Sequence, residues 1–144
     1  YGADMEGEIG GFAQGTSDAN MTANATWLCY PGNWDVGGNP AIHELGHVIN
    51  HLIFEETNET YWYDRITPLA YTARENGTYP ADAPLGEYWA QAVEGYIMNK
   101  GTDFKEIFPT RAYIAANHPG LYQLLTRYLP TDEWDYCPGI DENR

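Results

Sequence analysis

Apolar residues recur every three to four positions between about residues 40 and 56. Ile42, Leu45, Val48, Ile49, Leu52 and Ile53 form a single stripe, the pattern of an amphipathic helix. Asn39-Pro40 supplies its start, with Asn as N-cap and Pro at the first helical position, where a missing N–H is harmless. A second helix is predicted from Pro84 to about Asn99, carrying Leu85, Trp89, Ala92, Val93, Tyr96 and Ile97, with Gly101 ending it. Short helical pieces are predicted over 103–108 and 110–117. Pro119 opens a last helix over 120–129, with Leu121, Leu124, Leu125 and Tyr128 inward. Residues 57–83, rich in Tyr, Thr and Pro, read as loop with a short helix over 62–74.

The first 38 residues have a different pattern. Glu8–Gln14 and Ala25–Tyr30 read as β-strands joined by a polar loop, and Pro31-Gly32-Asn33 and Gly37-Gly38 are turn signals. The expected fold class is therefore α+β: a short N-terminal β-sheet, then a mainly helical bundle. One domain of 144 residues is expected, with 1–38 as strands and loops, 39–130 as the helical part and 131–144 as an acidic tail.

Seven Lys and Arg stand against 21 Asp and Glu, a net charge of −14. So few cations cannot neutralise a phosphate backbone, which excludes nucleic acid and anionic membrane surfaces as partners. No apolar run approaches the roughly 18–20 residues that span a bilayer. The chain starts at Tyr1 without a charged-then-apolar leader, as expected of a processed product. Four Asn-x-Thr sequons begin at Asn20, Asn24, Asn58 and Asn76. About one would arise by chance from this composition, so an exported, N-glycosylated protein is expected. In an oxidising compartment Cys29 and Cys137 would pair, a cross-link worth about 3–5 kcal/mol on the chain-entropy account.

The chemistry concentrates in Ala41-Ile42-His43-Glu44-Leu45-Gly46-His47-Val48-Ile49. On a helix, residues four apart share a face, so the imidazoles of His43 and His47 can meet one ion at about 2.0–2.1 Å. Glu44 can reach the open side of that ion without ligating it, where it can take a proton from water. This is the H-E-x-x-H pattern of metal-assisted hydrolysis. His51 is an unsuitable third ligand, because eight residues from His43 is about 12 Å along a straight helix. The longer metzincin pattern also fails, with Asn50 and Ile53 where Gly and His are required. A carboxylate from the second helix remains, where Glu87, Gln91 and Glu94 share a face. Spacing alone does not choose between Glu87 and Glu94.

Glu87-Tyr88-Trp89-Ala90-Gln91-Ala92-Val93 resembles the E-[FY]-[FW]-A-[EQ]-x-[FV] helix of gluzincin-type zinc metallopeptidases. More narrowly, it resembles the group holding lethal-factor-type catalytic domains and the Pro-Pro endopeptidases. The likeness spans roughly residues 35–136, including closing helices over Phe104–Leu129. It implies a zincin-like fold, Zn²⁺ as cofactor, and His43, His47 and Glu87 as ligands, with Glu44 as general base. Gln91 stands where gluzincins often carry an acidic residue that orients a ligand His, and it could accept a hydrogen bond from that imidazole without charge. The family also places a Tyr shortly before the ligand Glu as oxyanion donor. Tyr79 is the nearest counterpart, and Tyr71 the next.

The resulting expectation is a secreted zinc metallopeptidase acting on a peptide or protein substrate, with the strand Ala25–Tyr30 able to bind extended peptide at its edge. The alternative is an extracellular glycosylated structural or binding protein that retains a zincin fold. A zinc amidase or deacylase would share the same residues. His118 reads as a turn residue between helices, and Asp132-Glu133-Trp134-Asp135 lacks the spacing of a calcium loop. With Ser17 as the single serine and no G-x-S-x-G, a serine hydrolase is excluded.

Overall fold

The computed structural model describes residues 11–14, 20–23, 40–57, 59–99 and 107–133. Two strands, β1 (Gly11–Gln14) and β2 (Asn20–Ala23), form an antiparallel hairpin in which Gly11 faces Ala23 and Gln14 faces Asn20. Five α-helices follow: α1 (Pro40–Thr57), α2 (Glu59–Glu75), α3 (Tyr88–Met98), α4 (Arg111–Asn117) and α5 (Pro119–Tyr128). A 3-10 turn, Leu85–Glu87, leads directly into α3.

This corrects the α+β expectation. Among the described residues the core is built from helices and their connections, and strand pairing is limited to one hairpin beside α1. Two strands of four residues bury too little surface to act as a layer. β1 lies inside the expected strand Glu8–Gln14, but β2 falls in the segment read as polar loop. Ala25–Tyr30 lies outside the described residues.

Within 57–83 the short helix expected over 62–74 is present as α2 and is longer than expected, running for 17 residues from Glu59 to Glu75. Its buried face is Trp62, Ile66, Ala70 and Ala73, spaced four, four and three, which is one helical stripe. Pro68 sits inside the helix but is exposed, so the carbonyl that loses its partner can bond to water. Trp62 joins four helices: its indole N–H donates to Asn50 Oδ1, and its ring meets Trp89 and Tyr128 edge-on at 5.0 and 5.8 Å.

α3 is the central element. Every residue from Tyr88 to Met98 except Gln91 is buried, as expected of a helix packed on all sides. It stops at Asn99, whose φ of 47° is left-handed, where the sequence places its end; Gly101 lies outside the described residues. Arg111 ties that end to the chain leaving α5: its Nε donates to Tyr96 O at 2.8 Å, and its guanidinium also donates to Thr131 O and Asp132 O. α4 is capped by Thr110, whose hydroxyl oxygen accepts from Tyr113 N at 3.0 Å. The helical piece expected over 103–108 lies outside the described residues up to 106, and 107–108 form a bend.

The approach of α1 to α3 positions the chemistry. At Gly46, a Cβ would stand 2.8 Å from Ala90 Cα and 3.2 Å from Val93 Cβ. Only glycine lets the two backbones come this close. The apolar stripe of α1 is divided between surroundings: Ile42 and Ile53 are buried, Ile49 and Phe54 are partly buried, and Leu52 is 45 % exposed. No described helix is long and apolar enough to cross a membrane.

Candidate metal centre

α1 presents His43 and His47 one turn apart, their ring centroids separated by 5.0 Å and their planes by 76°. Glu87 reaches them from the opposite side, at the point where the 3-10 turn becomes α3. Its Oε2 accepts from His43 Nε2 at 2.6 Å and from His47 Nε2 at 3.2 Å. One ligand atom from each of the three residues lies within 4.8 Å of the others. A tetrahedral ion with bonds of about 2.05 Å holds its ligand atoms about 3.3 Å apart, so the group could hold a metal ion with small adjustments of side-chain torsions.

Glu94, about two turns beyond Glu87, completes the arrangement. It is 4 % exposed, and its Oε2 accepts from His43 Nδ1 at 3.0 Å. Once the ring is neutral, as a metal requires, that bond would keep the proton on Nδ1 and leave the Nε2 lone pair free for the shared point. Gln91, expected in this supporting role, is half-buried, and its Oε1 has no hydrogen-bond partner among the described residues. The shared face of Glu87, Gln91 and Glu94 was legible in the sequence. Which member met the imidazole depends on how far α3 slides along α1.

The charges are strongly coupled. Burial alone would lower the His43 pKa, but hydrogen bonds to Glu87 and Glu94, reinforced by their charges, raise it to about 10. Glu87 is held well below the usual carboxylate range by its bonds to His43 and His47, against the opposing effect of burial. Glu44 is 6 % exposed. Burial pushes its pKa up, and the charges of His43 and His47 partly offset that rise. A buried carboxylate is costly unless something compensates it, and here the compensation comes from the residues that would ligate the ion.

Tyr79 is 1 % exposed, and its hydroxyl donates to Pro84 O at 2.7 Å. Burial, then the nearby Glu87 charge, pushes its pKa up to about 12. Tyr71 is exposed on α2. His51 pairs with Glu55 at 3.2 Å and stacks on Phe54, and it takes no part in the His43–His47–Glu87 group. His118 does join α4 to α5, as read from the sequence, but its ring is also buried: Nδ1 shares a hydrogen bond with Tyr88 Oη at 3.1 Å, and Phe108 lies against it. Burial lowers its pKa.

Of the sequon residues, Asn76 is exposed where α2 ends, and Asn20 opens β2. Asn24, Asn58, Cys29 and Cys137 lie outside the described residues, as does Ser17. No known protein family, curated protein or solved structure matches this chain.

Proposed function

We propose that the chain is an exported zinc-dependent metallopeptidase. The observation that carries this reading is the buried Glu44 beside a His43–His47–Glu87 group. A site that only stabilises a fold has no use for a further carboxylate, outside the ligand group, buried next to it. Two imidazoles and one carboxylate also form the donor set that leaves a position open on zinc.

Zinc held by His43 Nε2, His47 Nε2 and the Glu87 carboxylate would supply a Lewis acid for the substrate carbonyl and ease ionisation of the attacking water. The chain's own residues do the rest. Glu44 accepts a proton from the water as its oxygen attacks the carbonyl carbon, then delivers that proton to the amine nitrogen as the C–N bond breaks. Burial raises the Glu44 pKa, which makes it a better base than an exposed carboxylate. Glu94 keeps the Nδ1 proton of His43 in place throughout. Export is supported by the four sequons, one of which, at Asn76, is exposed in a turn.

The test is Glu44→Gln with a peptide library as substrate. A peptidase keeps its zinc and loses turnover by about a hundredfold or more, the size of a lost general base. A glycosylated structural protein gives no cleavage with either chain. A zinc amidase or deacylase leaves the peptides intact but loses hydrolysis of small amides in the variant.

A further inference from the structure

The carboxylate that completes the metal group stands on a turn rather than inside a helix, so something must hold that turn. Pro84 O accepts two hydrogen bonds: from Glu87 N at 3.1 Å, which closes the 3-10 turn, and from Tyr79 Oη at 2.7 Å. The Tyr79 ring also packs edge-on against Tyr88, with centroids 5.0 Å apart and planes at 79°. Glu87 is thus gripped on both sides in sequence by one buried side chain. Arg74, from the last turn of α2, donates through Nη2 to Ala83 O and fixes the residue before Pro84.

We propose that Tyr79 is a positioning residue for the metal ligand Glu87, acting through the Pro84 carbonyl, and that Arg74 assists it from Ala83. The inference rests on the metal-centre reading above and adds to it a supporting contact outside α1 and α3. Its physical basis is that a ligand on a short turn lacks the hydrogen-bond ladder that holds a helical ligand. The turn's acceptor at Pro84 is shared, and without the phenol it is held only by the Glu87 amide. With its proton directed at Pro84, the Tyr79 hydroxyl serves the backbone, which sets this role apart from oxyanion donation to substrate.

The experiment measures zinc affinity by chelator competition and the visible spectrum of the cobalt-loaded chain, for the wild type, Tyr79→Phe and Arg74→Met. Phenylalanine keeps the ring contact with Tyr88 and removes only the hydroxyl. The expected result is a loss of zinc affinity of about tenfold, the usual scale for residues that orient ligands. The cobalt spectrum should shift as the carboxylate moves. Arg74→Met should move affinity in the same direction by a smaller factor. A role in fold stability alone would lower the unfolding temperature of the metal-free chain and leave affinity and spectrum unchanged, which overturns the proposal. Unchanged affinity with a large fall in kcat would assign Tyr79 to the substrate oxyanion and overturns it equally. A wild-type chain that takes up no zinc would remove the metal-centre reading and this inference with it. A wild type that binds zinc no more tightly than Tyr79→Phe removes the inference alone.

Discussion

Adding one methyl group at Gly46 tests how closely the site depends on the α1–α3 approach. The new Cβ would meet Ala90 Cα at 2.8 Å and Ala90 O at 3.1 Å. Both contacts are backbone, so no side-chain rotation relieves them. Restoring ordinary contact at 3.4 Å requires the helices to part there by about 0.6 Å. Overpacking of this kind costs about 1–3 kcal/mol, set against a gain of up to about 1 kcal/mol from alanine's helix propensity. A net loss of about 0–2 kcal/mol is expected. The larger effect should fall on the metal, because Glu87 precedes α3 while both histidines ride on α1. Metal sites tolerate about 0.2 Å in ligand position, so a 0.6 Å displacement should lower zinc affinity by about tenfold or more. Urea unfolding and chelator competition measure the two effects. Gly86→Ala is the control, since a Cβ there meets nothing within 4 Å. Gly46→Ala with wild-type stability and affinity would show that the α1–α3 spacing does not set the site.

Glu94→Gln removes the charge from His43 Nδ1 but keeps an acceptor there, so zinc affinity should fall by about 10- to 100-fold with little change in fold; chelator competition and far-UV circular dichroism measure the pair. In the metal-free chain His43 titrates near 10, above its ordinary 6.5. The stability it contributes is therefore complete below about pH 6.5 and is lost as pH rises towards 10, which thermal unfolding across that range should show. Zinc needs a neutral imidazole, so affinity should rise with pH over the same window, by up to about tenfold per unit, with a proton released on binding that calorimetry in two buffers would count. Arg111→Met cuts the bonds to Tyr96 O, Thr131 O and Asp132 O and the stacking on Tyr96 at 4.1 Å. Two of those bonds are exposed, so a loss of about 1–3 kcal/mol in urea unfolding is expected, with zinc affinity unchanged.

Local patterns carried far in this chain where the interaction was local. The stripe from Ile42 to Ile53 and the Pro40 start place α1 within a residue or two, and the four-residue step from His43 to His47 already fixes two candidate ligands on one face. The helix read over 62–74 is α2, but its full 17 residues were not legible, because its buried stripe is only four residues, Trp62, Ile66, Ala70 and Ala73, set among Tyr, Thr and Pro68. Here packing around Trp62 outweighs weak propensity. The strand pairing of Asn20–Ala23 with Gly11–Gln14 depends on a partner segment, and four residues carry little period of their own. At the site, choosing Glu87 as the third candidate ligand required the helix resemblance, because nothing in spacing separates Glu87 from Glu94. The structure gives both carboxylates work, one at the shared point and the other behind His43. The need for glycine at position 46, the burial of His118 and the grip of Tyr79 on Pro84 are tertiary facts with no local signature.

The central claim is that His43, His47 and Glu87 hold one metal ion beside Glu44. Diffraction data from crystals of the zinc-loaded chain, collected on either side of the zinc absorption edge, test it most directly. The account predicts one strong anomalous peak per chain, about 2.0–2.2 Å from His43 Nε2, from His47 Nε2 and from a Glu87 carboxylate oxygen, with Glu44 outside bonding distance. A peak at His51 or His118, a peak ligated by Glu94 in place of Glu87, or no peak in zinc-saturated crystals would contradict it.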